Sequence, residues 1–527
     1  MIPIFSSLDM MQRALQVTQT AIQTTGHNIS NANTDGYSRQ RVNLTTWLPY
    51  PGIGINAARG AGQIGTGVND DAIVRIRDQF VDLQVRDNSN QNGYWNSLSD
   101  AYSQMEDIIN EPTDTGISSE LDGFWQSLQD LAGNSGTSGT GTVVLQKGSA
   151  VADTFNYIAL SLGKVQNNLN QQITENTKLV NNYADQINAL NTEINKQEAN
   201  GLLANDLYDE RDALTDKLAQ LVNIKVTKVP SGGNPSPLAE GKYTIEMVDQ
   251  NGASFSPAAT LVDGAALTNN HLKSVINGAG TSSPDVKVSM VKSDDTALTG
   301  QNPLTGFSGK LQGLIDAYTK DYPEVLKSLD NMASTLANEF NAVYQKTAGY
   351  DSGKGLFFLG DASGTVNAAN IHVNSNLTGS DVKANGLKTD TDGNLVLDTN
   401  GNPIPLPSGD NSGASALADV IATNLYPIDD PDDPSDPSDP VSEKMTLKSY
   451  LQSLIGQIGV NAQSADQFTS NSGTMLAAAQ NRRSSISGVS LDEELTNLIQ
   501  FQHSYGAAAK VVTTLDTLLD TLINKMG

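Results

Sequence analysis

Residues 487–527 read SGVSLDEELTNLIQFQHSYGAAAKVVTTLDTLLDTLINKMG. Apolar side chains recur here in alternating steps of three and four residues, the heptad spacing of a helix that packs along a partner helix. Gly488 ends the preceding segment, Ser490 can cap the first turn, and the acidic residues 492–494 favour the positive end of the helix dipole. The stretch therefore predicts one long helix with a single seam, formed by Leu491, Leu498, Phe501, Tyr505, Val512, Leu515, Leu519 and Leu522.

The beginning of the chain shows the same spacing, although some of its stripe positions are threonines. A short helix with a partly polar stripe buries too little surface to offset its conformational entropy, so it needs a partner helix. A single apolar stripe usually packs inside its own domain, but here both chain ends carry one. We therefore predict that the two terminal helices pair as a coiled coil. The N-terminal seam consists of Leu8, Met11, Leu15, Ile22 and Ile29.

Further amphipathic helices are predicted between the two ends. Residues 162–194 hold a nearly continuous apolar stripe, which predicts a helix about 45 Å long. A return helix is predicted over 206–222, and another stripe runs over 311–343, where Pro323 should kink or restart the helix. The Gly- and Ser-rich residues 134–141 are predicted to form a flexible loop.

Two stretches in the middle of the chain have the patterns of β-structure. Residues 224–301 alternate apolar and polar side chains between Gly, Pro and Ser. Residues 361–440 contain Asp-Gly at 392–393 and Asn-Gly at 400–401, which are hairpin turn pairs. This second stretch ends in DDPDDPSDPSDP at 429–440, whose prolines and mutually repelling carboxylates predict a stiff, solvated linker.

The predicted fold is mostly α with inserted β-rich modules. It is an elongated multi-domain protein in which the terminal helices pair as a coiled coil beside a long central helical bundle. The predicted divisions are a terminal helix and turn motif at 1–45, the first part of the helical body at 46–223, a β-rich insert at 224–301, a return helix of the body at 302–360, a β-rich insert with the acidic linker at 361–440, the last part of the body at 441–486, and the C-terminal heptad helix at 487–527.

Composition limits the classes of partner. The chain has 527 residues, a formal net charge of -26 and no cysteine. Such a negative surface repels nucleic-acid phosphates and anionic lipids, so we expect no nucleic-acid partner and no membrane insertion. The missing cysteines exclude disulfides, Cys-based zinc sites and thiol catalysis. We find no signal-peptide pattern and no apolar run of membrane-spanning length, so a cytosolic protein or export without a cleaved signal is expected.

The residues that could carry chemistry are few, and the sequence predicts no metal, no cofactor and no enzyme activity. None of the four histidines has a second histidine at the spacing of a helical zinc site, and H-E-x-x-H is absent. Lys354 lacks the surroundings of a phosphate-binding loop. Residues 388–399 have Lys and Thr where a calcium loop needs acidic ligands, so a hairpin explains them better. The acidic residues 492–494 could act as an acid and base pair, but helix capping explains them more simply.

Residues 26–42 read GHNISNANTDGYSRQRV, a helix end followed by Asn- and Gly-directed turns that lead into a strand. This segment resembles the N-terminal motif of flagellar rod and hook axial proteins, N-I-A-N-x-x-T-x-G-[YF], and its continuation YSRQRV is closest to the hook-associated members. Residues 487–527 are similar to the C-terminal end of the same family, and weaker likeness covers 75–80, 124–131 and 209–212. The residues that carry the resemblance are Gly26, Asn28, Asn31, Asn33, Thr34, Gly36, Tyr37, Ser38, Arg39, Gln40, Gly488, Asp492, Glu493 and Glu494.

The resemblance implies a secreted structural subunit of the bacterial flagellum at the hook–filament junction. It implies export through the flagellar type III apparatus and polymerisation through the terminal helices into a homo-oligomeric ring. The implied partners are the hook protein, a second junction protein on the filament side, and an export chaperone at the C-terminal helix. Two other functions stay open from the residues alone, a secreted cell-wall hydrolase that uses paired carboxylates in a β-rich insert and a surface adhesin.

Overall fold

A computed structural model describes residues 4–48, 65–109, 116–134, 138–278, 281, 283–298, 300, 302–362, 364–390, 395–398, 402–423, 426–427 and 444–524. The molecule is mostly helical and elongated, as predicted. Within these residues, no helix carries an apolar stretch that could cross a lipid bilayer. The helices are α1 (Ile4–Ser30), α2 (Gln79–Ile109), α3 (Ile117–Gly133), α4 (Ser138–Glu198), α5 (Asn205–Leu221), α6 (Lys310–Asp316), α7 (Tyr322–Tyr344), α8 (Ser412–Ala422), α9 (Leu447–Ser487) and α10 (Leu491–Asn524).

The terminal helices α1 and α10 pack against each other along their length. Asn28 in the last turn of α1 donates a hydrogen bond to Glu494 in the first turn of α10, so the two helices are antiparallel. Strands β1 (Gln40–Thr46) and β2 (Val68–Arg75) form an antiparallel pair that lies against α1. We call the end of this helix pair near Asn28 its base and the opposite end its tip.

The long central helix α4 spans 61 residues and has an apolar side that is buried from Val144 to Ile194. The predicted helix over 162–194 is thus present, but the helix begins earlier than predicted. Residues 138–141 are helical, not part of a flexible loop. The reason is packing: Gly141 lies so close to the backbone of Gly379 that a Cβ would come within 2.1 Å of that carbonyl oxygen. The glycine permits a close contact and does not signal a loop.

Three further contacts complete the helical body. Helix α5 turns back beside α4, and α2 packs along α9 and α6. A π-helical turn at Ala317–Asp321 separates α6 from α7, and Pro323 follows that turn near the start of α7. The sequence had predicted a kink or restart at this proline.

The first β-rich stretch is an antiparallel meander that packs on α4. Several of its apolar side chains, among them Ile245 and Met247, are fully buried. Alternation of apolar and polar residues therefore marks the inner face of this sheet. Its strands are β3 (Ile224–Val229), β4 (Lys242–Val248), β5 (Ser254–Asp263), β6 (Thr268–Asn277) and β7 (Asp285–Lys292).

The second stretch, predicted to be β-rich over 361–440, has little regular β-structure among its described residues. It contains the helix α8, which the sequence prediction missed because it is only 11 residues long and turn residues surround it. A bridge between Thr389 and Leu395 supports local antiparallel pairing, but the turn pairs at 392–393 and 400–401 and the acidic linker at 429–440 lie outside the described residues. The remaining strands are short, namely β8 (Phe358–Leu359), β9 (His372–Val373), β10 (Tyr426–Pro427) and β11 (Lys444–Met445).

Candidate assembly site at the base of the terminal helix pair

The residues after α1 form a tight turn that fixes the direction of the chain into β1. Gly36 has a φ of +79°, a conformation that side chains with a Cβ rarely adopt. A Cβ at this position would also lie 3.0 Å from the Cβ of Ala213 in α5. The turn is therefore held both by its own backbone and by contact with the helical body.

Asn28 is the centre of the site, because all hydrogen-bonding atoms of its buried amide have partners. Its Nδ2 donates to the backbone carbonyl of Gln40 at 2.8 Å and to Glu494 Oε2 at 3.1 Å. Its Oδ1 accepts from the backbone N–H of Gln40 at 2.9 Å and from the Tyr37 hydroxyl at 2.8 Å. A buried amide with this full set of partners specifies one arrangement of α1, β1 and α10.

Tyr37 adds a second connection at the same place. Burial, with the nearby charges of Asp206, Asp209 and Glu494, raises the pKa of its phenol well above the ordinary value. The hydroxyl therefore stays protonated and donates its single hydrogen to Asn28. Its oxygen is left to accept from His27 Nδ1, which lies 3.0 Å away.

Arg39 joins the turn to the start of α10. Its Nε donates to Glu494 Oε1 at 2.7 Å, and its Nη1 donates to Glu493 Oε2 at 2.6 Å. The Glu494 side chain is 3% exposed and the Glu493 side chain 63% exposed, so only the first pair is desolvated. The backbone N–H of Arg39 also donates to the carbonyl of Ser487 at the end of α9. One residue thus contacts the ends of two helices.

The turn after α1 and the start of β1 are also hydrogen-bonded to α5. The backbone N–H of Ser38 donates to Asp209 Oδ2 at 3.0 Å. The Gln40 side chain donates to Asp206 Oδ1 at 2.9 Å, and Asn205 donates to the carbonyl of Ile73 in β2 at 2.8 Å. These contacts attach both the turn and the strand pair to the helical body.

A buried cluster of charges continues from this attachment into the body, centred on Asp212 of α5. Its Oδ2 accepts from Arg75 Nη1 at 3.0 Å and from Arg77 Nη1 at 2.9 Å, and its Oδ1 accepts from Arg86 Nη2 at 3.3 Å. Burial alone would raise the pKa of Asp212, but the guanidinium groups of Arg77, Arg75 and Arg86 outweigh it and hold this pKa well below the ordinary value. Asp212 is therefore a buried carboxylate that stays charged.

Arg211, beside Asp212, is fully buried and joins the cluster to the first β-sheet. Its guanidinium stacks 3.5 Å from the centroid of the Tyr243 ring, and Nη1 donates to the carbonyl of Gly241 at 2.6 Å. The Tyr243 hydroxyl donates to Asp212 Oδ1 at 2.8 Å. Helix α5 is therefore coupled to β4 through cation–π and hydrogen-bonding contacts.

The last part of the cluster reaches α9. Arg86 in α2 donates to Asp216 Oδ1 at 2.7 Å, and Arg483 in α9 donates to the other oxygen of the same carboxylate. Asp216 of α5 therefore connects α9 to α2. Because α10 follows α9 after a short connection, this contact also helps to hold the terminal pair on the body. We call Arg75, Arg77, Arg86, Arg211, Arg483, Asp82, Asp209, Asp212, Asp216 and Glu240 the charge cluster.

Most of the predicted seam residues are half-buried in the single chain. Leu491 and Tyr505 are exposed, at 47% and 40%, and the side chain of Leu522 lies outside the described residues. The most buried row of α1 is displaced by one residue from the predicted stripe, because α1 contacts α10 on one side and the β1–β2 pair on the other. That row is Val17, Ala21, Thr24 and Asn28, with Thr25 beside it.

The remaining motif residues have local roles. Asn31 donates to the carbonyl of His27 at 3.1 Å and accepts from Thr34 at 3.3 Å, while Asn33 and Asp492 are exposed. Gly488 forms the corner between α9 and α10, where a Cβ would lie 2.3 Å from the carbonyl oxygen of Ser484. A Cβ at Gly26 would meet nothing within 4 Å, so the place of this glycine in α1 has no steric explanation.

Sequence reasoning assigned the acidic residues after Ser490 to helix capping. The backbone N–H of Glu493 does approach Ser490 Oγ at 3.5 Å, but both glutamate side chains bind Arg39 instead of completing a capping box. The charge cluster was missed altogether, although five of its ten residues lie in the segments RIRD at 75–78 and DERD at 209–212. Among the residues that the structure describes, no group of three or more His, Asp or Glu is arranged to hold a metal ion.

Comparison with known proteins agrees with this architecture. A family profile described as the flagellar hook-associated protein FlgK helical domain matches residues 102–358. Profiles of the flagellar basal body rod FlgEFG protein C-terminal and of the flagella basal body rod protein match residues 466–525 and 8–37, respectively. The last two matches cover α10 and α1, the two helices that meet at Asn28.

Complete proteins are also similar. A flagellar hook-associated protein 1 from Bacillus subtilis is 38% identical over 99% of this chain and 98% of its own length. Those from Escherichia coli and Salmonella typhimurium are 27% and 25% identical, each over 97% of this chain and 98% of the relative. A solved flagellar hook junction protein FlgK from Burkholderia pseudomallei has the same fold, with a TM-score of 0.60, 13% identity, and coverage of 77% of this chain and 100% of that one.

Proposed function

Because this chain belongs to the flagellar hook-associated protein 1 family, we propose that it is a structural subunit of the bacterial flagellum at the junction between hook and filament. The observation that carries the proposal is the joint at Asn28, where the first and last helices of the chain share one buried hydrogen-bond network with Glu494. A subunit of this kind offers its neighbours a helix pair of defined direction, held rigidly on a body.

We propose that the terminal pair is the element through which copies assemble. Its seam residues, such as Leu15, Leu515 and Leu519, are only half-buried in the single chain. Burying a fully exposed leucine contributes about 1.5 to 3 kcal/mol, so neighbouring copies that cover these half-buried leucines would gain only a part of this from each. The charge cluster supports the same role, because it fastens the base of the pair to α2, α5 and α9.

Export and partner contacts follow from the same proposal. The subunit would leave the cell through the flagellar type III apparatus, with a chaperone that covers α10 until assembly. The support is that Leu495, Ile499 and Leu518 are all exposed on α10, a condition that favours aggregation before export. The hook protein and a second junction protein would contact the assembled subunit.

We propose no catalytic role. The carboxylates of Glu493 and Glu494, which could form an acid and base pair, are both engaged by Arg39. His271 is paired with Asp185 at 3.0 Å and stands in a β-strand of the first insert. These contacts give the groups structural roles.

The proposal can be tested in a Bacillus subtilis strain that lacks its own relative of this chain. Expression of the chain should restore swimming, and an antibody against residues 361–440 should label the point where hook meets filament. Leu515→Glu should abolish swimming, because it places a charge in the seam, whereas Thr517→Glu on the exposed side opposite the seam should not. Normal swimming with Leu515→Glu, or labelling elsewhere, would contradict the proposal.

A further inference from the structure

Two asparagines of α4 bind the backbone of the first β-sheet in the way that a neighbouring strand would. Asn181 Nδ2 donates to the carbonyl of Leu272 at 2.9 Å, and the N–H of Leu272 donates to Asn181 Oδ1 at 2.6 Å. Asn191 Nδ2 donates to the carbonyl of Tyr243 at 2.8 Å, and the N–H of Tyr243 donates to Asn191 Oδ1 at 3.0 Å. A side-chain amide carries the same donor and acceptor as a peptide group, so each asparagine takes the place of one strand residue.

Both contacts lie where the sheet has no neighbouring strand to offer. Among the described residues, β5 pairs with β6 only in the two residue pairs next to their turn, and Leu272 lies beyond them on β6. The pairing of β4 with β5 begins at Ile245, so Tyr243 at the start of β4 also lies beyond it. Leu272 and Tyr243 are buried, and leaving their backbone groups without these partners would be unfavourable.

The two contacts differ in what the held residue does with its own side chain. The Leu272 side chain lies in the hydrophobic core. The Tyr243 side chain joins the charge cluster, because its ring lies 3.5 Å from the guanidinium of Arg211 and its hydroxyl donates to Asp212 at 2.8 Å. Asn191 is itself completely buried. It therefore holds the one residue through which β4 contacts both α4 and the charged groups of α5.

We propose that the two asparagines attach the first β-sheet to α4 with different consequences. Asn181 holds β6 in place and acts locally. Asn191 is a positioning residue, because it fixes Tyr243 and through it Arg211 and Asp212. The seating of the sheet on α4 thereby bears on the charge cluster, which helps to hold the base of the terminal pair. This inference goes beyond the proposed function, since it concerns how the insert is coupled to the helical body.

Hydrogen exchange of the purified full chain, followed by mass spectrometry of its peptides, tests the inference. Asn191→Leu leaves the N–H and the carbonyl of Tyr243 unpaired, so peptides from β4 and from α5 should exchange faster by about tenfold or more. Asn181→Leu leaves the same groups of Leu272 unpaired. It should accelerate exchange in β6 and leave α5 as in the wild type.

Three further variants identify the cause. Asn182→Leu is the matched control, because Asn182 is exposed on α4, and it should change none of these peptides. Asn191→Ser leaves room for a water molecule and should accelerate the same peptides as Asn191→Leu by a smaller factor, which provides a result if the leucine variant does not fold. Tyr243→Phe keeps the backbone contact with Asn191 but removes the hydrogen bond to Asp212, so it should accelerate exchange in α5 and not in β4.

The pattern across the variants decides the outcome. If Asn181→Leu accelerated α5 as much as the Asn191 variants do, the effect would be a general loss of stability and the inference would be overturned. Unchanged exchange of β4 in the Asn191 variants would overturn it as well, since the amide would then not replace a strand. None of these measurements depends on where the chain acts in the cell, so the proposed function is tested separately.

Discussion

Arg39 and Glu494 stand 455 positions apart in the chain, and their side chains meet at 2.7 Å where α10 begins. The same carboxylate accepts from Asn28 at the end of α1. The Glu494 carboxylate can accept both hydrogen bonds only when the N-terminal motif and the C-terminal helix are both in place. The hydrogen bonds of this one side chain therefore depend on correct pairing of α1 with α10.

Glu494→Gln should loosen the terminal pair without unfolding the body. The variant leaves the Arg39 guanidinium without its desolvated partner, and breaking such a pair costs about 3 to 5 kcal/mol when burial is complete. We expect limited proteolysis to cleave α1 and α10 faster than in the wild type, with unchanged release of body fragments. Glu493→Gln is the matched control, because its side chain is 63% exposed and its loss should change little.

Asp212→Asn should destabilise the helical body at neutral pH. The folded state holds the pKa of Asp212 below the value in the unfolded chain, about 3.9, so the charged carboxylate stabilises the fold above that pH and the effect is lost as pH falls through the folded-state pKa. We expect a large fall in melting temperature at pH 7 and a smaller difference between variant and wild type in strong acid. Calorimetry across pH measures both.

The control for this variant is Asp122→Asn, since Asp122 pairs with Lys448 at 2.7 Å but its side chain is 63% exposed. Its melting temperature should stay close to that of the wild type at each pH. An Asp212 variant as stable as the control at pH 7 would mean that the charge cluster contributes nothing to the fold.

Periodicity was sufficient to predict those long helical stretches that have a sustained apolar stripe. The stripes over 162–194 and 491–522 recur at heptad spacing for many turns, and a repeat of that length is typical of a long helix with one packed side. Short or irregular elements were not predictable in this way. Helix α8 has too few turns to establish a period, and Gly141 was taken for a loop residue because its role depends on Gly379, which is remote in sequence.

The candidate site was predictable in its residues but not in its contacts. Family-like motifs identified Asn28, Arg39 and Glu494, yet nothing in the sequence states that they touch. The charge cluster was even harder to predict from the sequence, because Arg and Asp side chains are usually solvated and the partners Arg75 and Asp212 are 137 positions apart. Only the repeated grouping of opposite charges in RIRD and DERD was a signal that could have been followed.

Asp321→Asn should stabilise the chain at neutral pH. Burial raises the pKa of Asp321 to about 6, with nearby Asp316 and Glu324 adding to the effect, while the Tyr102 hydroxyl donates to it at 2.8 Å and opposes it. A raised folded-state pKa means that the charged carboxylate is a penalty above pH 6, which disappears as pH falls below the unfolded value of about 3.9. Asparagine keeps an acceptor for Tyr102 and removes the charge.

We expect this substitution to raise stability by roughly 2 kcal/mol at pH 7.5 and to have little effect near pH 4. Calorimetric melting temperatures at the two pH values provide the measurement. Asp107→Asn, on the exposed side of α2, is the control and should have no such pH-dependent gain. A stabilisation that is equal at both pH values would rule out the buried charge as its cause.

Gly36→Ala and Gly26→Ala should have opposite effects on the terminal region. At Gly36 the φ of +79° strains any residue with a Cβ, and the new methyl group would meet Ala213 at 3.0 Å, so we expect a loss of about 1 kcal/mol or more. Gly26 lies in α1 with open space around it, and alanine there should favour the helix by up to about 1 kcal/mol. Proteolysis of the N-terminal region should accordingly accelerate in the first variant and slow in the second. If Gly36→Ala were as resistant as the wild type, the turn would not be what holds the base of the terminal pair against α5.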